Sequence, residues 1–335
     1  MLMGIIMLLS AMGCGASEPR EHHFSGPTMG TWYNVKVIGT LSKEERSAIT
    51  EAIQDALEEV NALMSTYRED SELSKLNRHP AGEPFALSPE TLLMLEKSKQ
   101  VSRESNGAFD VTIGPLVNVW GFGPDHQIEP PDDTQIAVLL EIVGYEKLTL
   151  DLEAGTVTKK HSDTYIDLSG IAKGYAVDVV AETVESFGLE NILVDIGGEV
   201  VARGHNAQNE PWRIAIETPV PDARSVYRVL PITDIALATS GDYRNFIEVA
   251  GRSLSHTIDP ESGRPIFHDL ASVSVFHESC ALADAYATAI LVLGTEDGLA
   301  LAEELDLAVM LLVHDEEEGF IERSSSAFQA LFPDS

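Results

Sequence analysis

Asp284 and Thr288 are two residues whose types and spacing suit metal binding. They lie four residues apart in a segment rich in Ala, Leu and Ile that predicts a buried helix over 280–293, so they share one helix face. A buried carboxylate needs a partner, and this segment contains no Lys or Arg. An Asp carboxylate, a Thr hydroxyl, backbone carbonyls and phosphate oxygens together suit Mg²⁺. The alternative is a buried aspartate that only accepts backbone hydrogen bonds near the helix start.

Lys173 marks a second candidate site, within the stretch 165–178. The pattern predicts a short strand over 165–168, a Ser-Gly turn and then a helix. The first N–H groups of a helix have no internal partner, so such a turn can bind phosphate. The helix dipole disfavours a cation in the first turn, and we therefore expect Lys173 to have an anionic partner. The stretch predicts a phosphate cradle; an ordinary turn with a solvated lysine is the alternative.

His256 belongs to a third candidate unit, His256-Thr-Ile-Asp-Pro260 followed by Gly263-Arg-Pro265. A histidine beside a Pro-stiffened turn could donate a hydrogen bond to a phosphate or act as an acid or a base. The alternative is structural, with Asp259 capping the turn and Arg264 paired to Asp259.

Helices and strands without strict alternation must position these residues. Capping signals and helical periodicity indicate the helices, and short alternating segments indicate the strands. The segment 109–123 contains Gly, Pro and Trp but remains apolar, which is typical of an ordered loop that lines a site. The pattern predicts an α+β fold of mixed sheets flanked by helices. The predicted helices begin at Ser42, Ser88 and Asp132 or Asp133, and predicted strands include 31–37, 147–150, 156–159 and 191–196.

Composition limits the classes of partner. The chain has 335 residues, 44% of them hydrophobic, which is enough for one large domain or two joined ones. Its 54 acidic and 22 basic residues give a net charge of −32. Such a surface repels nucleic acid, so we expect no nucleic-acid partner, and a nucleotide ligand would need a local positive patch or a metal.

The N-terminus predicts export. Residues 1–13 form an apolar run that is too short to span a membrane and resembles the core of a signal peptide. Small residues then precede Cys14, which suggests a lipoprotein cleavage site with Cys14 as the lipidated first residue. We therefore predict a signal and tether segment over 1–24, a folded domain over 25–335, and a periplasmic protein anchored to the membrane through Cys14.

Taken together, the three units and several further motifs resemble one family. The sequence is similar to ApbE-type flavin transferases, which are FAD:protein FMN transferases. The motifs follow that family's order and run from residue 28 to about residue 313. They are Thr28-Met-Gly-Thr31, Met64-Ser-Thr-Tyr67, Gly107-Ala-Phe-Asp-Val-Thr-Ile-Gly-Pro-Leu-Val-Asn-Val-Trp-Gly-Phe-Gly123, Asp167-Leu-Ser-Gly-Ile-Ala-Lys-Gly174, Gly197-Gly198, Ser255-His-Thr-Ile-Asp-Pro260 with Gly263-Arg-Pro265, and Ala283-Asp-Ala-Tyr-Ala-Thr-Ala289.

The resemblance implies a fold and an activity. It implies an ApbE-like, T-fold-related architecture with a central FAD cleft, in one domain or two interlocked subdomains. The implied reaction is Mg²⁺-dependent transfer of FMN from the substrate FAD to a Thr or Ser hydroxyl of a target protein, with release of AMP. The implied partner is an extracytoplasmic redox protein, such as a subunit of an electron-transfer complex. The sequence does not predict an oligomeric state.

The resemblance also implies roles for single residues. Asp284, His256 and Lys173 would be catalytic, with Lys173 near the diphosphate and either His256 or Asp284 taking the proton of the acceptor hydroxyl. The metal would be held by the Gly170 carbonyl, Asp284, Thr288 and the Ala287 carbonyl. Ala285 and Ala287 carry no side-chain oxygen, so Asp284 is the one nearby carboxylate of that motif. The implied FAD-binding residues are Met29, Tyr67, Ala108, Phe109, Asp110, Asp167, Lys173, His256 and Ile258.

Two other functions use the same residues. An FAD pyrophosphatase would release free FMN and AMP, with water in place of the acceptor hydroxyl. A flavin-binding lipoprotein without turnover would hold FAD and release nothing. A metal between two phosphates favours the enzymes, because a simple binding protein does not need one.

Overall fold

The structure is a computed structural model that describes residues 19–123, 130–220, 225–241, 246–249 and 252–333. Cys14 and the predicted signal segment lie outside the described residues. The helices are α1 (Lys43–Met64), α2 (Glu72–Arg78), α3 (Pro89–Glu104), α4 (Gly114–Val119), α5 (Asp133–Leu140), α6 (Ser169–Glu185), α7 (Cys280–Glu304) and α8 (Ser326–Leu331), with a 3₁₀ turn at Tyr145–Lys147. The strands are β1 (Arg20–Thr28), β2 (Thr31–Gly39), β3 (Phe85–Ala86), β4 (Leu148–Asp151), β5 (Thr156–Lys159), β6 (Ile192–Ile196), β7 (Glu199–Arg203), β8 (Trp212–Glu217), β9 (Val226–Ile232), β10 (Ile235–Gly241), β11 (Phe246–Val249), β12 (Arg252–Ser255), β13 (Ile258–Asp259), β14 (Arg264–Pro265), β15 (Leu270–His277), β16 (Ala308–Asp315) and β17 (Gly319–Ser324).

An eight-stranded sheet forms the centre of the protein, in the order β1-β2-β6-β7-β10-β15-β16-β17. Neighbouring strands of this sheet pair antiparallel throughout. The smaller sheets among the described residues are also antiparallel. The predicted α+β fold with flanking helices is therefore confirmed, with antiparallel pairing in place of mixed strand directions.

The two faces of the large sheet bury different cores. Side chains of a strand point alternately to its two faces, and β7 follows this rule. Val201 packs into the main core with α1, α6 and α7, whereas Val200 and Ala202 pack under the β8–β9 hairpin and α8. Glu199 lies two residues before Val201 and therefore faces the helices, which is the side that carries the site.

The folded part begins earlier than the sequence suggested. Strand β1 starts at Arg20 and pairs with β2 along its whole length, so the predicted tether boundary at residue 24 falls inside a strand. Its inward positions include His22, which is buried and contacts the Gly39 carbonyl at 3.2 Å and Arg46 Nη1 at 3.0 Å. A histidine at a buried position hides the apolar alternation that would otherwise indicate a strand.

Helices α6 and α7 pack antiparallel through three levels, each four residues apart on both helices. A Cβ at Gly170 would lie 3.3 Å from Thr288 Oγ1. The Gly174 N–H donates to Asp284 Oδ2 at 3.0 Å. Asp178 accepts from the N–H of Cys280 at 2.9 Å. Because residues four apart share a helix face, this packing fixes the order in which the two helices present their side chains.

Two predictions about these helices have different outcomes. The predicted strand over 165–168 is wrong, because Tyr165 makes only an isolated parallel bridge to Ile113 and α6 already begins at Ser169. The predicted break at Gly294 is confirmed, since this residue has φ 78° inside α7. Among the described residues, α7 is the one helix long and apolar enough to span a membrane, but 56% of its most apolar stretch is buried inside the protein.

Candidate functional site

A cavity of about 880 Å³ brings the three candidate units together. It lies between the N-terminal part of α6, the middle of α7, the β1–β2 turn and the segments 108–122 and 256–260. Ala287 is fully buried and is not among the lining residues, and Cys14 lies outside the described residues. The lining includes the other residues to which the resemblance assigns a role: Met29, Tyr67, Ala108, Phe109, Asp110, Asp167, Gly170, Lys173, His256, Ile258, Asp284 and Thr288.

Lys173 and Glu199 form an ion pair in this cavity, with Lys173 Nζ donating to Glu199 Oε1. Burial opposes the charge of Lys173, but the carboxylates of Asp284 and Glu199 raise its pKa above the ordinary value. Burial raises the pKa of Glu199 to about 7, although the Lys173 charge acts in the opposite direction. Burial also raises the pKa of Asp284, against the same lysine charge. The lysine thus has the anionic partner that the sequence led us to expect.

Asp284, Thr288 and Gly170 supply oxygens of the kind that a hard cation prefers. Asp284 is 3% exposed and its Oδ2 accepts one backbone hydrogen bond, which leaves acceptor capacity on the carboxylate. The N–H that makes this bond belongs to Gly174, and in a regular helix the same N–H would donate to the Gly170 carbonyl oxygen. Thr288 Oγ1 lies 3.4 Å from Ser240 Oγ.

These oxygens fit a hard cation such as Mg²⁺ better than zinc or copper. No group of three or more His, Cys, Asp or Glu side chains suitable for a metal occurs in the described ranges. Zinc and copper sites are normally built from such a group, with histidine nitrogen or cysteine sulfur among the ligands. Mg²⁺ is usually held by one or two carboxylates together with phosphate oxygens and water, which matches the present set.

Two further aspartates in the cavity wall hold backbone. Asp110 is 7% exposed and accepts from the N–H of Thr112 at 2.8 Å and of Tyr145 at 2.6 Å. Burial raises the pKa of Asp110, although these hydrogen bonds oppose the shift. Asp167 accepts from the N–H of Ser169 at 2.8 Å, at the N-terminus of α6. These carboxylates shape the wall, whatever else they contact in a complex.

The rim of the cavity contains a tight turn and an exposed ring. Met29 and Gly30 join β1 to β2 with φ angles of 47° and 73°, as a two-residue hairpin turn with positive φ requires. Tyr67 is 68% exposed, and its partial burial and the Asp167 charge raise its pKa. Both side chains thus stand at the entrance, where a planar ligand could stack.

His256 lines the same cavity, and its ring packs edge-on to that of Phe122 at 6.3 Å between centroids. The turn after it is held structurally, because Asp259 accepts from the N–H groups of Glu261 and Ser262. Arg264 pairs with Asp133 of α5, so the suggested pair with Asp259 is wrong. Arg264 and Asp133 are 131 positions apart, so the sequence alone could not identify this pair.

Glu199 is the charged lining residue that the sequence did not single out. The signal was present, because Glu199 directly follows the Gly197-Gly198 motif. Both glycines have positive φ, 66° and 110°, and form the turn from β6 into β7. A carboxylate that opens a buried strand after such a turn must face a partner, and only the tertiary structure shows that the partner is Lys173.

Comparison with known proteins supports this geometry. The ApbE family profile matches residues 29–311. The chain is 46% identical over 330 residues to a Vibrio cholerae protein named FAD:protein FMN transferase, covering 98% of this chain and 97% of that protein. It is 41% identical over 336 residues to the protein of that name from Haemophilus influenzae, covering 98% and 96%.

Solved structures agree. Flavin transferase ApbE from Vibrio cholerae superposes with a TM-score of 0.85 at 45% identity, covering 93% of this chain and 99% of that one. The apo form of Pseudomonas stutzeri flavinyl transferase ApbE gives a TM-score of 0.86 at 36% identity, covering 95% and 98%. The fold and the relatives define an enzyme of the transferase class. The chain belongs to the ApbE family.

Proposed function

We propose that the protein is an FAD:protein FMN transferase that uses Mg²⁺, transfers FMN to a Thr or Ser hydroxyl of a target protein and releases AMP. The meeting of α6 and α7 at the cavity carries this proposal. Lys173, Asp284, Gly170 and Thr288 come from two helices more than a hundred positions apart in sequence, and they line one space together. A cation charge and hard oxygen ligands side by side are the chemistry that a diphosphate requires.

The overall charge of the cavity explains why a metal belongs to the proposal. Asp110, Asp167, Glu199 and Asp284 line it, and Lys173 is the lysine among the lining residues. A diphosphate would be repelled by these carboxylates unless a divalent cation accompanied it. When bound, Mg²⁺ would neutralise phosphate charge and polarise the phosphorus that is attacked.

The transfer forms a phosphoester bond and breaks the phosphoanhydride bond of the FAD diphosphate. The acceptor oxygen forms a bond to the phosphorus of the FMN half, the bond from that phosphorus to the bridging oxygen breaks, and AMP leaves. Lys173 contacts the diphosphate and stabilises its developing charge. The proton of the acceptor hydroxyl goes to His256 or Asp284, which both line the cavity. The rim at Met29 and Tyr67 holds the flavin or adenine ring.

The test is incubation of the purified protein with FAD, Mg²⁺ and an acceptor protein that offers a Thr, followed by intact mass of the acceptor. The proposal expects a mass increase equal to one FMN group, lost when the acceptor Thr becomes Val. Free FMN and AMP at a comparable rate without acceptor would instead indicate a pyrophosphatase. FAD binding without AMP release under any condition would indicate a flavin-binding protein.

We further propose that the protein is exported to the periplasm, anchored through a lipidated Cys14, and acts on an extracytoplasmic redox protein. Support comes from the apolar run before Cys14 in the sequence. Mass spectrometry of the mature N-terminus tests it, because a lipidated protein would begin at Cys14 with acyl chains. An unmodified N-terminus at Met1 would refute both export and lipidation.

A further inference from the structure

Glu199 has no task in the transfer reaction as described above, although it is the buried carboxylate closest to Lys173. It is 2% exposed at the first residue of β7. Its Oε1 accepts from Lys173, and its Oε2 is buried without a hydrogen-bond partner within the described part of the chain. A buried, half-satisfied carboxylate is costly for a protein, so its presence here calls for a specific role.

Lys173 lines the cavity together with two buried carboxylates, Asp284 and Glu199, and pairs with one of them. Asp284 is near as well, because its Oδ2 accepts from the N–H of Gly174, the residue next to Lys173 in the chain. Among the described residues the ion-pair partner of Lys173 is Glu199 and not Asp284. A lysine has a flexible four-carbon stem, and its ammonium can follow the better-placed carboxylate.

The two carboxylates are both fixed by backbone, and the lysine is the adjustable element. Glu199 follows the Gly197–Gly198 turn and pairs with Ile196 across the β6–β7 hairpin. Asp284 is held by the Gly174 N–H at 3.0 Å. Removal of the Glu199 charge would therefore leave Asp284 as the remaining nearby anion for Lys173.

We propose that Glu199 is a positioning residue: it holds the Lys173 ammonium away from Asp284, so that the Asp284 carboxylate stays available to a divalent cation. The same contact keeps Lys173 directed to the place where the diphosphate binds. The inference rests on the proposed function, because it assigns Asp284 to the metal. An aspartate that is paired with a lysine is a poorer metal ligand, since the lysine competes for the same oxygens and adds a positive charge beside the cation.

The test measures Mn²⁺ binding to FAD-free protein by the electron paramagnetic resonance signal of free Mn²⁺. We expect Glu199→Gln to weaken Mn²⁺ binding about tenfold or more, the size typical for loss of a residue that orients a ligand. The double variant Lys173→Met with Glu199→Gln should return to the wild-type affinity, because no ammonium remains to occupy Asp284. Glu185→Gln is the matched control, since it removes a carboxylate of α6 that pairs with Arg203 outside the cavity. It should bind as the wild type does.

Several results would overturn the inference. Wild-type Mn²⁺ affinity in Glu199→Gln would do so, as would wild-type protein that binds no Mn²⁺. A double variant as weak as the single one would show that Glu199 is itself a ligand. If Glu199→Gln does not fold, Lys173→Met alone decides: it should bind Mn²⁺ at least as tightly as the wild type and FAD more weakly, and weakened Mn²⁺ binding would contradict the proposal.

A crystal structure of metal-free Glu199→Gln gives a direct readout. Lys173 Nζ should lie within hydrogen-bond distance of Asp284. If it instead stays beside the side chain of residue 199, as in the wild type, the inference is wrong. Failure here is distinct from failure of the proposed function. If the wild-type protein transfers FMN but the variants do not behave as expected, only the proposed role of Glu199 is refuted. If the wild-type protein neither transfers FMN nor releases AMP, the proposed reaction is refuted, and the Mn²⁺ comparison still decides the role of Glu199.

Discussion

Four carboxylates in or beside the cavity fall into two groups by what their oxygens accept. Asp110 and Asp178 accept backbone N–H groups with both oxygens and so fix the wall and the start of α7. Asp284 and Glu199 keep unused acceptor capacity at buried positions. Replacement should therefore affect folding in the first group and ligand binding in the second.

Asp284→Asn should lower the rate of FMN transfer by about 100-fold or more, because the neutral amide is a poor ligand for a hard cation. The fold should persist, since the amide oxygen can still accept from the Gly174 N–H. Initial rates of AMP release check the loss, and circular dichroism checks the fold. Asp151→Asn, at an exposed hairpin position, should have the wild-type rate. Full activity in Asp284→Asn would contradict the assignment.

Asp110→Ala should lower the free energy of unfolding by about 1–3 kcal/mol, because it leaves the N–H groups of Thr112 and Tyr145 without their acceptor. Urea denaturation measures the change. Asp163→Ala, at an exposed position outside the cavity lining, should stay within about 0.5 kcal/mol of the wild type. Equal stability of the two variants would show that Asp110 is not structural.

Sequence could identify Asp284, Thr288 and Lys173, because each carries its signal locally, as spacing on a helix or as a charge beside a Gly turn. Glu199 also had a local signal, its position directly after the Gly197–Gly198 turn, but the sequence could not show that its partner is Lys173. It also could not show that the oxygens of Asp110 and Asp167 are used by backbone, because those partners are set by loop geometry.

At the scale of elements, the α6–α7 packing is what assembles the site. Gly174 allows it: a Cβ there would lie 2.3 Å from the Cys280 carbonyl oxygen and 2.8 Å from Ala281 Cα. Asp178 then caps α7 by accepting from the N–H groups of Cys280 and Ala281. The helices therefore come close at Gly174, and the hydrogen bonds of Asp178, one turn further along α6, hold them together.

Gly174→Ala should push α6 and α7 apart and lower the free energy of unfolding by about 1–3 kcal/mol, the usual cost of overpacking. It should also weaken Mn²⁺ binding, since Gly174 holds Asp284 and Gly170 faces Thr288. Denaturation and Mn²⁺ titration measure the two effects. Glu182→Ala, on the exposed side of α6, is the control. A stable Gly174→Ala variant with normal Mn²⁺ binding would contradict this account.

Elements with caps were predictable and elements with mixed patterns were not. The capping box predicted at Ser42 forms and begins α1. Of the two cap candidates for the third helix, Asp132 is the N-cap and α5 begins after it. Strand β1 was missed, because its inward positions include a histidine. The strand predicted over 165–168 fails because a β-rich stretch there finds no sheet edge, only a bridge to Ile113.

At the scale of the whole molecule, the protein has a net charge of −32, and its proposed ligand FAD is also anionic. FAD binding should therefore depend on the divalent cation. We expect FAD alone to raise the melting temperature little, and FAD with Mg²⁺ to raise it clearly, because binding to the native state stabilises it in proportion to occupancy. Differential scanning fluorimetry with and without EDTA measures this. An equal shift in EDTA would show that the metal is not needed for binding.

The early start of β1 limits how far the folded body can stand from Cys14. Arg20 is already in the sheet, and six peptide units at full extension reach only about 20 Å. The cavity rim at Met29 follows the far end of β1, roughly 30 Å beyond Arg20. A lipid on Cys14 would therefore keep the rim within about 50 Å of the bilayer. A substrate protein would have to present its hydroxyl within that distance of the membrane.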